Sequence, residues 1–166
     1  MRNAILLAAA AIPLSACVTM RGGAVDAPAA ATAARITYDT AACFGTCPVY
    51  SVEVDLASGA GVFMGRQHTA TVGAARFQAT QAQVRAFGAA VAELRGVDGE
   101  GVTIDGTRCA SYATDLPGVT VTWIGADGTR TVKRAYFGCG VDANRALFAS
   151  LRSVPDVLPI TPLIGK

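Results

Sequence analysis

The sequence predicts an α+β domain, in which an antiparallel sheet built from two β-hairpin-plus-helix units carries its helices on one face. Three observations support this prediction. Apolar residues alternate with polar ones in two separate regions, glycine-rich turns divide the alternating runs, and each region is followed by apolar residues at helical spacing. Helices that cover one face of an antiparallel sheet are typical of the α+β class.

The first unit begins with a short candidate strand at residues 36–38 and continues with a hairpin. The inward positions of the hairpin's first strand are Tyr50, Val52, Val54 and Leu56. Residues 57–61, ASGAG, form the predicted turn, and residues 62–64 form the second strand of the hairpin. Residues 67–72 extend the sheet in this interpretation until Gly73 breaks it. His68 is then expected to be a surface residue on a strand.

A helix follows, and its start and end are both marked. Thr80 and Gln83 have the T-x-x-Q spacing of a capping box, and Gly96 is a plausible stop. One apolar stripe has helical spacing: Val84, Phe87, Val91 and Leu94. Residues 96–107 are predicted to be a solvated loop, because their aspartates lack the ligand spacing of an EF-hand.

The second unit repeats this arrangement. Its hairpin has the inward positions Val119, Val121 and Trp123, a turn at residues 125–128 and a return strand at residues 129–136. Trp123 is interpreted as a core residue. Asp142 is predicted to cap a second helix with Leu147, Phe148, Leu151 and Val154 inward, and Pro155 to end it. The apolar tail, residues 157–166, is expected to pack along its own core or sheet edge, with partner binding as the alternative.

The N-terminus has the features of an export signal. Arg2 precedes an apolar run at residues 4–12, which is too short to span a membrane. The run ends in Leu14-Ser15-Ala16-Cys17, which resembles the lipobox of bacterial lipoproteins. This resemblance implies that Cys17 carries diacylglycerol and a fatty acid such as palmitate. An ordinary secretory signal that happens to contain a cysteine is the alternative.

The predicted organisation is a signal peptide at residues 1–16, lipidated Cys17 with a flexible tether up to residue 34, and one domain at residues 35–166. Val18 follows the cysteine where some bacterial lipoproteins carry an aspartate for inner-membrane retention, so the outer membrane is expected, on its periplasmic face. The formal net charge falls from +2 to +1 when Arg2 is removed with the signal peptide. The sequence contains no basic stripe of the kind that indicates a nucleic-acid partner, so none is expected.

With Cys17 assigned to the lipid, Cys43, Cys47, Cys109 and Cys139 remain. An even number of cysteines in an exported protein favours disulfides, and four allow three connectivities. Pairing of Cys43 with Cys47 and of Cys109 with Cys139 is predicted, because Gly45 lets the first loop turn tightly and the second pair flanks a hairpin. A crossed pairing, Cys43 with Cys109 or Cys139, stays open.

Cys43 and Cys47 also suggest a copper or thiol-redox protein. The C-x-x-x-C-P spacing is similar to the motif of copper-delivering Sco-type proteins, where two thiolates and a distant histidine bind copper. Here the one histidine, His68, follows Cys47 by 21 residues, and a strand rather than a helix follows the motif. The redox or copper function is therefore the alternative, and no cofactor or metal site is predicted.

No catalytic residues are predicted. The sequence has one histidine with no paired nucleophile, and Asp115, in TDLPG, is interpreted as a turn residue. A hydrolase or transferase with unseen residues is a further alternative.

The order of motifs resembles a bacterial family of exported domains, catalogued as domain of unknown function six-four-three-eight. The resemblance lies in CFGTCPVY at residues 43–50, the strand to Leu56, Gly65, the helix, and Asp115-Leu116-Pro117. It covers roughly residues 35–155 and implies a small exported α+β domain, with no catalytic residues to assign. We expect the protein to be a membrane-anchored periplasmic lipoprotein that binds a partner and is not an enzyme. Its partner is expected to be a protein or other component of the envelope, bound through the sheet face or the tail.

Overall fold

The computed structural model describes residues 33–106 and 108–165. The predicted signal peptide, Cys17 and the tether up to residue 32 lie outside these residues. The described residues form an α+β fold with a sheet of seven strands in the order β4-β3-β2-β1-β6-β7-β5. The strands are β1 Ala33–Thr40, β2 Val49–Asp55, β3 Ala60–Gln67, β4 Gly73–Gln78, β5 Gly101–Val102, β6 Gly118–Gly125 and β7 Arg130–Tyr136. The helices are α1 Gln81–Arg95, α2 Arg145–Arg152, α3 Val154–Val157 and α4 Thr161–Ile164.

Strand β1 lies at the centre of the sheet and joins its two halves. It starts at Ala33, two residues before the predicted start of the domain. It pairs antiparallel with β2 on one side, where Tyr38 is opposite Val52, and with β6 on the other, where Tyr38 is opposite Val121. Its inward side chains, Ile36 and Tyr38, are both buried.

The prediction of a purely antiparallel sheet is wrong at one edge, because β5 pairs parallel with β7. This strand lies within the stretch that was expected to be a loop. The Lys133 ammonium supports the segment by donating to the carbonyl oxygens of Val97, at 2.6 Å, and Gly99. The sheet is therefore mixed, and the second half is not a simple copy of the first.

The first half is a four-stranded meander rather than a hairpin. Gly73 has a φ of +88°, so it completes a turn and opens β4 instead of ending the sheet. Ala75 and Phe77 alternate with exposed neighbours and pack partly against the core. His68 is exposed as predicted, but it lies in the turn after β3 with a φ of +53°, not on a strand.

Helix α1 confirms the predicted capping box. Thr80 Oγ1 accepts from the Gln83 backbone N–H at 3.2 Å, and Gln83 Oε1 accepts from the Thr80 backbone N–H at 2.9 Å. Gly96 is the C-cap. The predicted apolar stripe is buried along its full length: Val84, Phe87, Val91 and Leu94.

The hydrophobic core lies between one face of the sheet and the helices. The inward residues of β2, β6 and α2 that were predicted to be buried all belong to it, and Trp123 is 4 % exposed. Leu56 packs against its margin.

Two expectations for the second helix were wrong. Helix α2 starts at Arg145 with Asn144 at the N-cap position, whereas Asp142 is exposed and forms an ion pair with Arg145. Asn144 is buried and donates from Nδ2 to the carbonyl oxygen of Cys139 at 3.0 Å. Pro155 does not end α2, which stops at Arg152, but lies in the first turn of α3, where its missing N–H costs no hydrogen bond.

The apolar tail packs on its own domain, as predicted. Leu158, Ile160 and Ile164 are buried, so they belong to the core and do not form an exposed surface for a protein partner. The tail also binds the turn between β3 and β4, because Ala70 N–H donates to the Ile164 carbonyl oxygen at 3.1 Å. The C-terminal segment is thus part of the fold.

The capping box provides a test of the fold. Thr80→Ala removes the hydrogen bond that Thr80 Oγ1 accepts from the Gln83 backbone N–H at the start of α1, and we expect a loss of about 1 kcal/mol in the free energy of unfolding. Thr80→Ser keeps the hydroxyl and should stay close to wild type. Urea unfolding with the disulfides intact measures both variants. Equal stability of the alanine variant and wild type would contradict the role assigned to this cap.

Candidate functional site

The two stretches that carry the family resemblance meet at one end of the sheet. CFGTCPVY connects β1 to β2, and Asp115-Leu116-Pro117 leads into β6. The Phe44 N–H donates to the Asp115 carbonyl oxygen at 3.2 Å, and the Ala41 N–H donates to the Gly118 carbonyl oxygen at 2.9 Å. Two segments that are far apart in sequence therefore form one wall beyond the end of β1.

Cys43 and Cys47 form a disulfide, with their Cα atoms 5.7 Å apart. Gly45, between them, has a φ of +141°, a conformation that side chains disfavour. Both cysteines are partly exposed, and Phe44 at the tip of the loop is 89 % exposed.

Cys109 and Cys139 also form a disulfide, with a Cα–Cα distance of 4.9 Å. The two pairs in the structure are therefore those predicted, and the crossed connectivity is absent. Cys139 is fully buried, and its carbonyl oxygen accepts from Asn144. This pair ties the loop before β6 to the segment after β7.

Thr40 holds the disulfide loop against the sheet. Its hydroxyl lies 3.0 Å from the carbonyl oxygen of Pro48 and 3.1 Å from that of Tyr50, and it accepts from the Tyr50 N–H at 2.9 Å. The backbone pairing of β1 with β2 ends at Asp39 and Ser51. The Thr40 side chain thus continues the contact between the strands where the backbone ladder stops.

Behind this loop lies a cleft of about 260 Å³. Most of its lining is apolar or aromatic, and it comes from β1, the disulfide loop, β6 and the helices after β7. The lining residues are Tyr38, Thr40, Ala41, Cys47, Pro48, Tyr50, Pro117, Gly118, Val119, Phe137, Arg152, Pro155 and Ile164.

The two tyrosines of the cleft differ in their hydrogen bonding. Tyr38 donates from its hydroxyl to the Leu151 carbonyl oxygen at 3.1 Å. The Tyr50 hydroxyl has no partner among the described residues, and none of their fully buried side-chain polar atoms lacks one, so this hydroxyl opens on the cleft. Burial raises the pKa of both tyrosines well above the usual range, and the carboxylate of Asp156 adds to the effect on the pKa of Tyr50. Both hydroxyls therefore stay protonated.

Arg152 provides the positive charge of the cleft. It is exposed at the end of α2, and its guanidinium carbon lies 4.3 Å from the centre of the Phe137 ring and 5.8 Å from that of Phe148. These are distances for cation–π attraction. Arg152 forms no ion pair with any residue that the structure describes. Its donors are thus available to a ligand.

His68 and Asp115 are not among the residues that line the cleft. In the described ranges no group of three or more His, Cys, Asp and Glu side chains has the geometry to hold a metal ion. The strand pairing places His68 at the same end of the sheet as Pro48, but the imidazole is exposed. Asp115 has a φ of +69°, and its carboxylate accepts from Thr114, as expected of a turn residue.

Several residues of this cleft carry no local signal in the sequence. Tyr38 and Phe137 have the spacing of ordinary core residues, and Arg152 follows the apolar stripe of α2 like any surface arginine. Only Cys47, Pro48, Tyr50 and Pro117 lie in stretches singled out by motif. What connects the two groups is the pairing of β1 with β6, which has no local signature.

The sheet face opposite the helices is a second exposed surface. It carries the partly exposed side chains of Val62, Met64 and Val132. Ion pairs cross it, one between Arg35 and Glu53 at 3.0 Å and one between Arg66 and Asp39. Its apolar positions are separated by these charges.

The model of the family described as Domain of unknown function (DUF6438) matches residues 34–155. Comparison with curated proteins and with solved structures gives no match. Within the part of the chain that the structure describes, no helix is long and apolar enough to cross a membrane.

The two disulfides should differ in their reactivity. We expect low concentrations of dithiothreitol to reduce Cys43–Cys47 first, because both of its cysteines are partly exposed, whereas in the other pair Cys109 is partly exposed and Cys139 is fully buried. Alkylation of samples taken over time, with peptide mapping by mass spectrometry, measures the order. The same experiment in urea is the control, where both pairs should be reduced at similar rates. Equal rates in the folded protein would contradict the assigned difference in exposure.

Proposed function

We propose, on the premise that this chain belongs to the DUF6438 family, that it is a lipid-anchored ligand-binding module of the bacterial envelope. In this proposal Cys17 is lipidated, the protein is held on the periplasmic face of the outer membrane, and the cleft beside the Cys43–Cys47 loop binds an envelope component without transforming it.

The position of the cleft carries this proposal. The chain enters the sheet at Ala33, and the cleft begins at Thr40, at the other end of the same strand. Seven residue steps at about 3.4 Å each separate the two points by about 24 Å. An anchor that acts through the N-terminal tether therefore pulls on the end of β1 that is remote from the cleft. This geometry supports a binding surface that stays open while the protein is tethered.

The N-terminal sequence supports the anchor. A charged residue, a short apolar run and the Leu-Ser-Ala-Cys sequence occur in the order that lipoprotein processing requires. Each buried methylene contributes about 0.8 kcal/mol to membrane binding, so several acyl chains on one cysteine give firm attachment.

Metabolic labelling tests the anchor. We expect cells given labelled palmitate to incorporate it into the wild-type protein and not into the Cys17→Ala variant. Cys43→Ala serves as the matched control and should retain the label. Mass spectrometry of the mature N-terminal peptide should find Cys17 as its first residue, with lipid attached. An unmodified Cys17, or a mature chain that starts elsewhere, would refute the anchor.

Site-specific photocrosslinking tests the binding surface. We expect p-benzoylphenylalanine placed at Phe44, at the tip of the exposed loop, to give a crosslinked product in intact cells. The same amino acid at Val132, which is 42 % exposed on the opposite sheet face, is the control and should give none. Products from position 132 alone would assign binding to the sheet face instead.

Thiol–disulfide exchange, or copper binding by the reduced thiols, is the second candidate. The observation that favours it is the partial exposure of Cys43 and Cys47 beside a cleft. In exchange, a thiolate of a reductant such as glutathione would attack one sulfur, form a mixed disulfide and release the other as a thiolate. Copper(I) competition with bicinchoninate, using the reduced protein and its Cys47→Ser variant, tests the metal form.

A further inference from the structure

The Tyr50 hydroxyl is a donor that the protein leaves unused. The residue is 3 % exposed, its ring stacks on Phe63 at 5.3 Å, and its backbone is bound by Thr40. Its orientation is therefore fixed by packing. A polar group in such a position loses free energy unless it has a partner, and here the partner has to come from the cleft.

Arg152 adds a cation to the same cleft. Its contact with the Phe137 ring restricts the guanidinium while leaving the donors at its edge uncommitted. A guanidinium with free donors pairs best with a carboxylate or a phosphate, often through two parallel hydrogen bonds. The cleft thus combines one cation and one neutral donor.

The charges around the cleft favour an anion with a single negative charge. Arg152 is the one charged residue among the described residues that line it, and Asp156 lies close enough to affect the Tyr50 hydroxyl. A phosphate with two charges would bring a second negative charge next to Asp156 with no cation to match it. A carboxylate brings one negative charge, which the Arg152 guanidinium matches, so it meets less repulsion from Asp156 than a phosphate dianion would.

The remaining lining residues determine which chemical class of ligand body fits the cleft. Pro48, Pro117 and Ile164 present no side-chain donor or acceptor, and the Tyr38 hydroxyl already donates its proton to Leu151. A sugar would lose the hydrogen bonds of most of its hydroxyls there. The volume of about 260 Å³ lies below the roughly 300–1,000 Å³ typical of ligand pockets, so the body is one ring or a short chain.

We infer that the cleft binds a small organic acid, with its carboxylate on the Arg152 guanidinium and the Tyr50 hydroxyl and its apolar body between Pro48, Pro117 and Ile164. This inference rests on the proposed binding function and adds the chemical class of the ligand.

The test uses the whole mature chain, residues 17–166, with Cys17→Ser so that it stays in solution and with both disulfides formed. The probes are 3-phenylpropanoate, hexanoate and N-acetylphenylalanine, each compared with its neutral amide by isothermal titration calorimetry. Phenyl phosphate is included as the dianionic competitor. The variants are Arg152→Gln and Tyr50→Phe, and the matched control is Arg145→Gln, an exposed arginine two turns earlier on α2.

We expect at least one acid to bind and its amide to bind at least about tenfold more weakly, since hydrogen bonds to charged groups are the stronger class. Arg152→Gln should weaken the acid by about ten- to a hundredfold, and Tyr50→Phe by about three- to tenfold. Arg145→Gln should stay within about twofold. Because the Tyr50 hydroxyl has no partner among the described residues, Tyr50→Phe should not lower the urea midpoint, which separates loss of binding from loss of folding.

The inference would be overturned by the absence of binding of any acid up to about 10 mM, by equal binding of acid and amide, or by unchanged binding in Arg152→Gln. Tighter binding of phenyl phosphate would replace the carboxylate by a phosphate and would also overturn it. The crosslinking at Phe44 separates this failure from that of the proposed function. Products at position 44 together with no acid binding would leave a binding module whose ligand is of another class.

Discussion

The pairing of β1 on both of its edges is the constraint on which the rest of the structure depends. β1 holds the meander β2–β4 on one side and β6–β7 on the other, so it alone joins the two halves of the sheet. Because side chains alternate along a strand, one register sends Ile36 and Tyr38 into the core, and a slip of one residue would expose both. The cost is a contact between segments about 80 residues apart, which the chain must close before the core can form.

The same pairing builds the cleft. Where β1 ends, Thr40 faces Val119 of β6, and the Thr40 hydroxyl takes over from the backbone ladder to hold Pro48 and Tyr50. The disulfide loop thereby lies close to the segment that enters β6. Arg152, at the end of α2, lines the remaining side of the cleft. Glycine at position 118 lets β6 lie close to β7 at this end of the sheet, because a Cβ atom there would meet the Ala135 carbonyl oxygen.

Local signals in the sequence predicted local structure well. The capping box at Thr80, the stripe of α1 and the alternation in β2 and β6 each depend on neighbours within a few residues, and each is found. The predictions were wrong where contacts between residues distant in sequence determine the structure. The two residues of β5 are a strand because β7 lies beside them, and Asn144 rather than Asp142 precedes α2 because its amide satisfies the Cys139 carbonyl oxygen. The cleft also depends on distant contacts. Cys47 lies in a stretch that its motif singled out, but no local pattern marked Tyr38 or Arg152 as part of the lining.

The distribution of polar groups argues that the cleft is more than a packing defect. Across the residues that the structure describes, no fully buried side-chain nitrogen or oxygen lacks a hydrogen-bond partner. The fold therefore offsets the free-energy cost of burying these polar atoms with hydrogen bonds. Phenylalanine at position 50 would fill the same space, keep the stacking on Phe63 and need no partner for a hydroxyl. The Tyr50 hydroxyl opens on the cleft, and Arg152 in the same lining has no ion pair among the described residues, so the fold itself does not require these two polar groups. This is why we propose the binding surface in the cleft rather than on the open sheet face, where the cross-strand ion pairs already satisfy the charges.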